Sequence, residues 1–158
     1  MRRKDREVTD RNQIKQILDE MKTCRLSMVD GGQPYVIPLS YGYTLENGLL
    51  TLYFHSAKAG RKIDVLKANS SVCVEVSTEG ESGFGGETAC EYVHYYKSII
   101  GFGNAEFVEA YDEKNTALKL ITKQQAGVQA EFTQKQTDTV CVFKVETKNF
   151  TAKKSLIS

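Results

Sequence analysis

Residues 49–66 read LLTLYFHSAKAGRKIDVL, and this passage decides the fold. Residues 49–55 are rich in strand formers, whereas 60–69 (GRKIDVLKAN) place Ile63 and Leu66 on one helical face, with Asn69 as the stop. Small residues join the two. Upstream, Glu46-Asn47-Gly48 is a strong hairpin signal, because Asn-Gly tolerates the positive φ angles of a tight two-residue turn. It links the 49–55 strand to an earlier run, PYVIPLSYGY at 34–43. That run follows another turn, DGGQ at 30–33, and the alternating segment CRLSMV at 24–29. Two successive hairpins make a meander.

Working outward, residues 10–22 space Ile14, Ile17, Leu18 and Met21 as an amphipathic helix, with Thr9 or Asp10 to cap it. SVCVEVS at 71–77 is a fourth strand, and the polar, glycine-rich residues 77–90 read as a long mobile loop. Residues 92–110 form a long strand in which Gly101 and Gly103 mark a bulge or bend. A helix spans 112–125 with Ala117, Leu118 and Ile121 apolar, a weak polar segment follows, and 139–153 is the last strand. Six mostly antiparallel strands with two or three outer helices predict a mainly β fold, a small closed or half-closed barrel. The chain of 158 residues suits one domain, 1–158, with no linker or repeat.

Lys+Arg 21 against Asp+Glu 20 leaves a net charge of +1, which argues against nucleic acid as a partner. No run nears the roughly 18 apolar residues of a membrane span, and the charged start MRRKDRE lacks an apolar region behind it. A cytoplasmic location is the expectation. Cys24, Cys73 and Cys141 lie in apolar runs and read as small buried hydrophobes; with Cys90 they form no C-x-x-C pair. Cys90 and His94 are too few for a metal site, so none is expected, and His94 is assigned a structural role. The phosphate-binding, dinucleotide, zinc-protease and serine-hydrolase signatures are all absent.

The strand-to-helix passage does carry chemistry. Lys58, Arg61 and Lys62 gather three cations beside a helix start, and Ser56 adds a hydroxyl. Free helical N–H groups, a dipole and a forked guanidinium suit a phosphate dianion. A solvated basic turn is the alternative. The run VIPLSYGY could lie beside that turn, presenting backbone N–H and C=O groups to the polar edge of a flat heterocycle. It reads equally as ordinary core.

Several motifs in fixed order extend this reading. PYVIPLSYGY, LTLYFHSAKAGRKIDVL and YKSIIGFGNAEFVE, with MRRKDREVTD and CRLSMVDGGQPYVIPL before them, resemble the nitroimidazole-resistance (nitroimidazole reductase) branch of the pyridoxamine 5'-phosphate oxidase-like flavoproteins. The likeness covers roughly residues 1–108 and, more loosely, the last strand. It implies a split β-barrel that forms a homodimer with FMN at the subunit interface. Pro38, Leu39 and Ser40 would line the isoalloxazine through their backbone, and His55 and Ser56 would sit near the ring edge and ribityl chain. Lys58, Arg61 and Lys62 would meet the phosphate, and Lys97, Ser98 and Ile99 would approach from the partner subunit. His55 is then the candidate catalytic residue, polarising a nitro oxygen or supplying a proton, or else it positions cofactor alone. The resemblance implies an FMN-dependent reductase of a small acceptor such as a 5-nitroimidazole, fed by a transient reduced nicotinamide or another donor. Alternatives are a non-catalytic flavin- or haem-binding module for storage or sensing, and pyridoxamine 5'-phosphate oxidation. Two stretches depart from the family pattern: the glycine-rich SGFGGETACEY, and QQAGVQAEFTQKQTD after the last predicted helix.

Overall fold

The computed structural model describes residues 2–78, 80, 82–84, 88 and 92–155. The six expected strands are all present: β2 (Thr23–Asp30), β3 (Gln33–Glu46), β4 (Leu49–Ser56), β5 (Ser71–Ser77), β8 (Tyr96–Val108) and β9 (Cys141–Ser155). A short β1 (Glu7–Val8) adds to β9, and β6 (Ser82–Phe84) pairs with β7 (Tyr92–His94) in a separate ribbon. The main sheet runs β1-β9-β4-β3-β2-β5-β8, and β8 pairs back onto β9. That last pairing closes six strands into a barrel, and every pairing is antiparallel.

Closure follows from alternation. Cys24, Leu26 and Met28 of β2, Leu50, Leu52 and Phe54 of β4, and Val72, Val74 and Val76 of β5 all point inward and are buried. Phe143 of β9 stacks on Phe54 with ring centroids 5.2 Å apart and meets Phe107 edge-on. Helix α1 (Arg11–Glu20) buries Ile14, Ile17 and Leu18 in the same core. Its N-terminus is capped by Asp10, whose side chain accepts from the Gln13 N–H at 2.9 Å. Its last carbonyls are met by residues distant in sequence. Tyr41 Oη donates to Leu18 O at 2.8 Å, and Gln124 Nε2 donates to Leu18 O and Met21 O at 2.7 Å each.

Gln124 belongs to α3 (Tyr111–Ala126), which crosses the outside of the barrel over β3 and β4. The crossing is close at Gly42, where a Cβ would lie 2.4 Å from Ile121 N and Leu120 C. Ala117, Leu118 and Ile121 form a second apolar cluster there with Val108 and Val142. Helix α2 (Arg61–Ala68) buries Ile63, Val65 and Leu66.

Three expectations change. The 92–110 strand is broken at Tyr95, and its first residues pair instead with 82–84, so part of the expected loop is a two-stranded ribbon. Cys90 and the rest of that loop, apart from residues 77, 78, 80, 82–84 and 88, lie outside the described residues. The weak polar segment contains a short helix α4 (Gln134–Thr137), started by a Thr133–Gln136 capping box. Cys73 and Cys141 are only half-buried: alternation turns Cys73 away from the interior, whereas Cys141 shares the inward parity of Phe143 but stands at the very start of β9; Cys24 alone of the three is fully buried. The expected irregularity near Gly103 is present as a register shift between Phe102 and Asn104 against β9.

Candidate functional site

The Asn47-Gly48 hairpin forms with positive φ at both residues (51° and 77°) and pairs Tyr41–Glu46 with Leu49–Phe54. Beyond Tyr41 and Phe54 the two strands part. Gln33–Ser40 pairs with β2, whereas His55 and Ser56 continue against Val142 and Cys141 of β9. A wedge opens between them. On the side away from β2, Gln33–Ser40 has no strand partner among the described residues, so the main-chain groups on that side face the gap. Pro38 and Ser40 are exposed, while Leu39 is partly buried against the core.

The other wall is the end of β4 and the start of α2. Gly60 caps α2 at φ 126° and ψ 166°, a conformation open to glycine and strained for other residues, and no side chain caps the helix. Ile63 and Asp64 donate to Gly60 O, at 2.9 and 3.2 Å. The amides of Arg61 and Lys62 precede them and have no carbonyl within the helix to meet, so they add to the positive end of its dipole. Lys58 is exposed on the loop and Lys62 is partly buried. Arg61 reaches across the wedge. Its Nε donates to Asp30 Oδ2 at 2.8 Å and its guanidinium lies 4.3 Å from the Tyr35 ring centroid. Sequence reading missed both partners: Asp30 looked like a turn residue and Tyr35 like one more strand aromatic.

His55 points outward on the parity of Thr51 and Tyr53, as its place in the strand predicts. Its pKa is lowered, first by desolvation and second by the nearby Lys62 charge. Ser56 turns inward and is 8% exposed, and its hydroxyl donates to Ala57 O at 2.8 Å. That bond commits the donor expected to reach a ligand. His94 is exposed and stands opposite Ser82 in the β6–β7 ribbon, a sheet separate from the one that carries His55.

Lys97, Ser98 and Ile99 are not brought to this wedge within one chain. Lys97 pairs with Lys154 near one end of β9 and Ser56 with Cys141 at the other, about 40 Å apart along the strand at ~3.3 Å per residue. Lys97 Nζ contacts Glu20 Oε2 at 2.5 Å, Ser98 is partly buried, and Ile99 is fully buried in the core. Only the main chain of Ile99 is available to a ligand. Among the described residues, no cluster of three or more His, Cys, Asp or Glu could hold a metal ion, and no helix is long and apolar enough to cross a membrane.

A closed antiparallel barrel in which one hairpin parts to leave a strand edge beside a cationic helix start is a split β-barrel. The sequence profile of the pyridoxamine 5'-phosphate oxidase family matches residues 10–154. The chain belongs to that pyridoxamine 5'-phosphate oxidase-like family. Among solved structures, it is 31% identical to a candidate 5-nitroimidazole antibiotic resistance protein from Bacteroides thetaiotaomicron. The match covers 93% of this chain and 85% of that one, with a TM-score of 0.79. An FAD- and haem-binding protein from Mycobacterium smegmatis shares the fold at 20% identity, with a TM-score of 0.77 over 95% of this chain and 73% of that one. The flavocytochrome Anf3 from Azotobacter vinelandii does so at 19%, with a TM-score of 0.79 over 99% and 72%. No curated protein matches in sequence.

Proposed function

We propose that the chain is one half of a homodimeric, FMN-dependent reductase whose acceptor is a small nitroaromatic compound of the 5-nitroimidazole type. The observation that carries this reading is the wedge itself, a β3 edge without a strand partner among the described residues, facing the cationic start of α2, which no side chain caps. The groups present fit the cofactor. Free N–H groups at Arg61 and Lys62, with the side chains of Lys58 and Lys62, suit a phosphate dianion. The guanidinium of Arg61, held by Asp30 through Nε, keeps its two terminal nitrogens for a forked contact. The main chain of Pro38, Leu39 and Ser40 suits the polar edge of an isoalloxazine. Bound FMN would supply the two-electron carrier between a reduced nicotinamide, or another donor, and the acceptor. His55 stands at the strand end beside this edge. Its lowered pKa keeps it neutral near pH 7, which favours donating a hydrogen bond to an acceptor oxygen over delivering a proton.

The dimer reading draws on one wall of the barrel. Two rungs cross four strands there with outward side chains: Val36–Ser27–Cys73–Phe102, and Pro38–Arg25–Glu75–Ile100. Val36 and Phe102 remain 52% and 55% exposed. A face with exposed Val36, Ile100 and Phe102 around the Arg25–Glu75 ion pair (3.1 Å), continuous with Pro38 at the wedge, suits a second copy of the chain. Such a copy could bring Lys97 and Ser98 to the site that its own register keeps them from.

The test is spectroscopic. The purified protein should bind FMN, the flavin should bleach with NADH or NADPH without oxygen, and a nitroimidazole should restore its colour. A colourless protein that refuses added FMN would sink the cofactor reading, and a flavoprotein indifferent to nitro compounds would sink the acceptor. Changing Arg61→Ala with Lys62→Ala should weaken FMN retention by about tenfold or more, since hydrogen bonds to charged groups contribute about 1.5–3 kcal/mol each. Unchanged affinity rejects the phosphate assignment.

A further inference from the structure

The segment between α3 and β9 is one of the two stretches that depart from the family pattern, and it does not simply pass over the surface. Tyr111 Oη donates to Phe132 O at 2.9 Å, which ties the segment to the start of α3. The capping box at Thr133 then begins α4, and Phe132 and Val140 pack on the cluster formed by Leu118 and Ile121. Between this segment, α3 and the end of β4 lies a cleft of about 290 Å³. Its walls are Leu118, Ile121, Phe132 and Val140, and His55 and Gln136 stand in its lining.

The polar groups of the cleft are unequal. Thr122 Oγ1 donates to Leu118 O at 2.9 Å and Thr139 Oγ1 to Gln136 O at 2.7 Å, so both hydroxyl protons are committed. Gln136 Oε1 accepts from the Thr133 N–H and hydroxyl, each at 2.9 Å, leaving its amide NH₂ as a donor. The His55 ring makes no hydrogen bond to a described residue, and its pKa is lowered by desolvation and by Lys62. No Lys, Arg, Asp or Glu lines the cleft. A ligand therefore meets apolar walls and two neutral donors, with no charged side chain in the lining to pair with an ion. Burying an ion there would cost its hydration without return. The volume lies just below the range of small-molecule pockets, about 300 to 1,000 Å³, room for a single small ring and too small for a dinucleotide or a haem.

The geometry points to this cleft as the acceptor site: it takes one small, uncharged aromatic ring whose acceptor edge, such as a nitro group, faces His55 and Gln136, with Phe132 and Val140 setting the size limit. As an acceptor site it rests on the reductase reading; as a ligand site it does not. Nuclear magnetic resonance of the full chain as purified tests it, with 1-methyl-5-nitroimidazole and nitrobenzene as probes and benzoate as the anionic control. Both nitro compounds should shift the His55 ring and the methyls of Leu118, Ile121 and Val140 saturably, and benzoate should not. Val140→Trp, which fills the cleft, should weaken nitro-compound binding by about tenfold or more, because a hydrophobic pocket discriminates about 10–200-fold per methylene. FMN retention should stay unchanged. Shifts that are absent or fall elsewhere overturn the inference, as does a Val140→Trp protein that binds as before. Equal binding of benzoate overturns the assignment to neutral ligands. Should Val140→Trp fold poorly, the wild-type shift pattern decides alone. Nitro-compound binding without FMN retention overturns the reductase reading and leaves the cleft standing; the reverse result overturns the cleft alone.

Discussion

At the residue scale, His55 and Arg61 show how much neighbours decide. Both sit in the passage that reads as strand, small residues, helix, and their chemical types were visible there. What they touch was not. Arg61 is drawn to Asp30 and Tyr35, residues 31 and 26 positions earlier, through the hairpin that folds β3 back beside β2. His55, although exposed, gains its lowered pKa from partial desolvation by its surroundings and from Lys62. The lowered pKa has a consequence for stability. Above the unfolded value of about 6.5, the ring is neutral in both states. As pH falls below that value, the unfolded chain takes up a proton that the folded chain resists, so stability falls toward the lowered folded pKa. Urea midpoints measured from about pH 8 to about pH 5 should decline more steeply for the wild type than for His55→Gln. Parallel curves would show that His55 contributes nothing to the acid sensitivity.

At the scale of elements, the helices and strands follow local pattern, and their packing follows positions with little pattern of their own. The alternation in 71–77 and the helical spacing of Ile14, Ile17 and Leu18 were legible because each element buries one face. The seating of α3 was not. It depends on Gly42, which reads as one small residue in a strand and proves to lie against the backbone of Ile121 and Leu120. Gly42→Ala should cost about 1–3 kcal/mol, the usual range for overpacking, because backbone atoms cannot swing aside as a side chain would. A urea midpoint within error of the wild type would show that α3 can ride outward at no cost. The same seating brings Gln124 to the last carbonyls of α1, so a loosened α3 should also fray that helix end. The ribbon of β6 and β7 and the short α4 escaped sequence reading because each is three or four residues long. Elements so short depend on a partner or a cap rather than on periodicity.

For the whole molecule, the outward rungs of the barrel carry the quaternary prediction. Phe102→Asp places a charge at the β8 end of this wall, on its most exposed apolar side chain, and an interface aromatic that acts as a hot spot contributes about 2 kcal/mol or more to association. Sedimentation velocity should show the variant shifted toward monomer, with FMN lost in parallel. A dimer of wild-type strength would move the interface elsewhere. By itself, the sequence determined the antiparallel barrel strands, the Asn47-Gly48 turn and the cationic helix start, because alternation, helical spacing and turn chemistry act between near neighbours. Only the tertiary structure decided where β3 parts from β4, that Arg61 spans the gap, that Ser56 and Ile99 face inward, and that Phe132 and Val140 wall a cleft beside His55. Those outcomes depend on strand register and on which face each residue takes once the barrel closes.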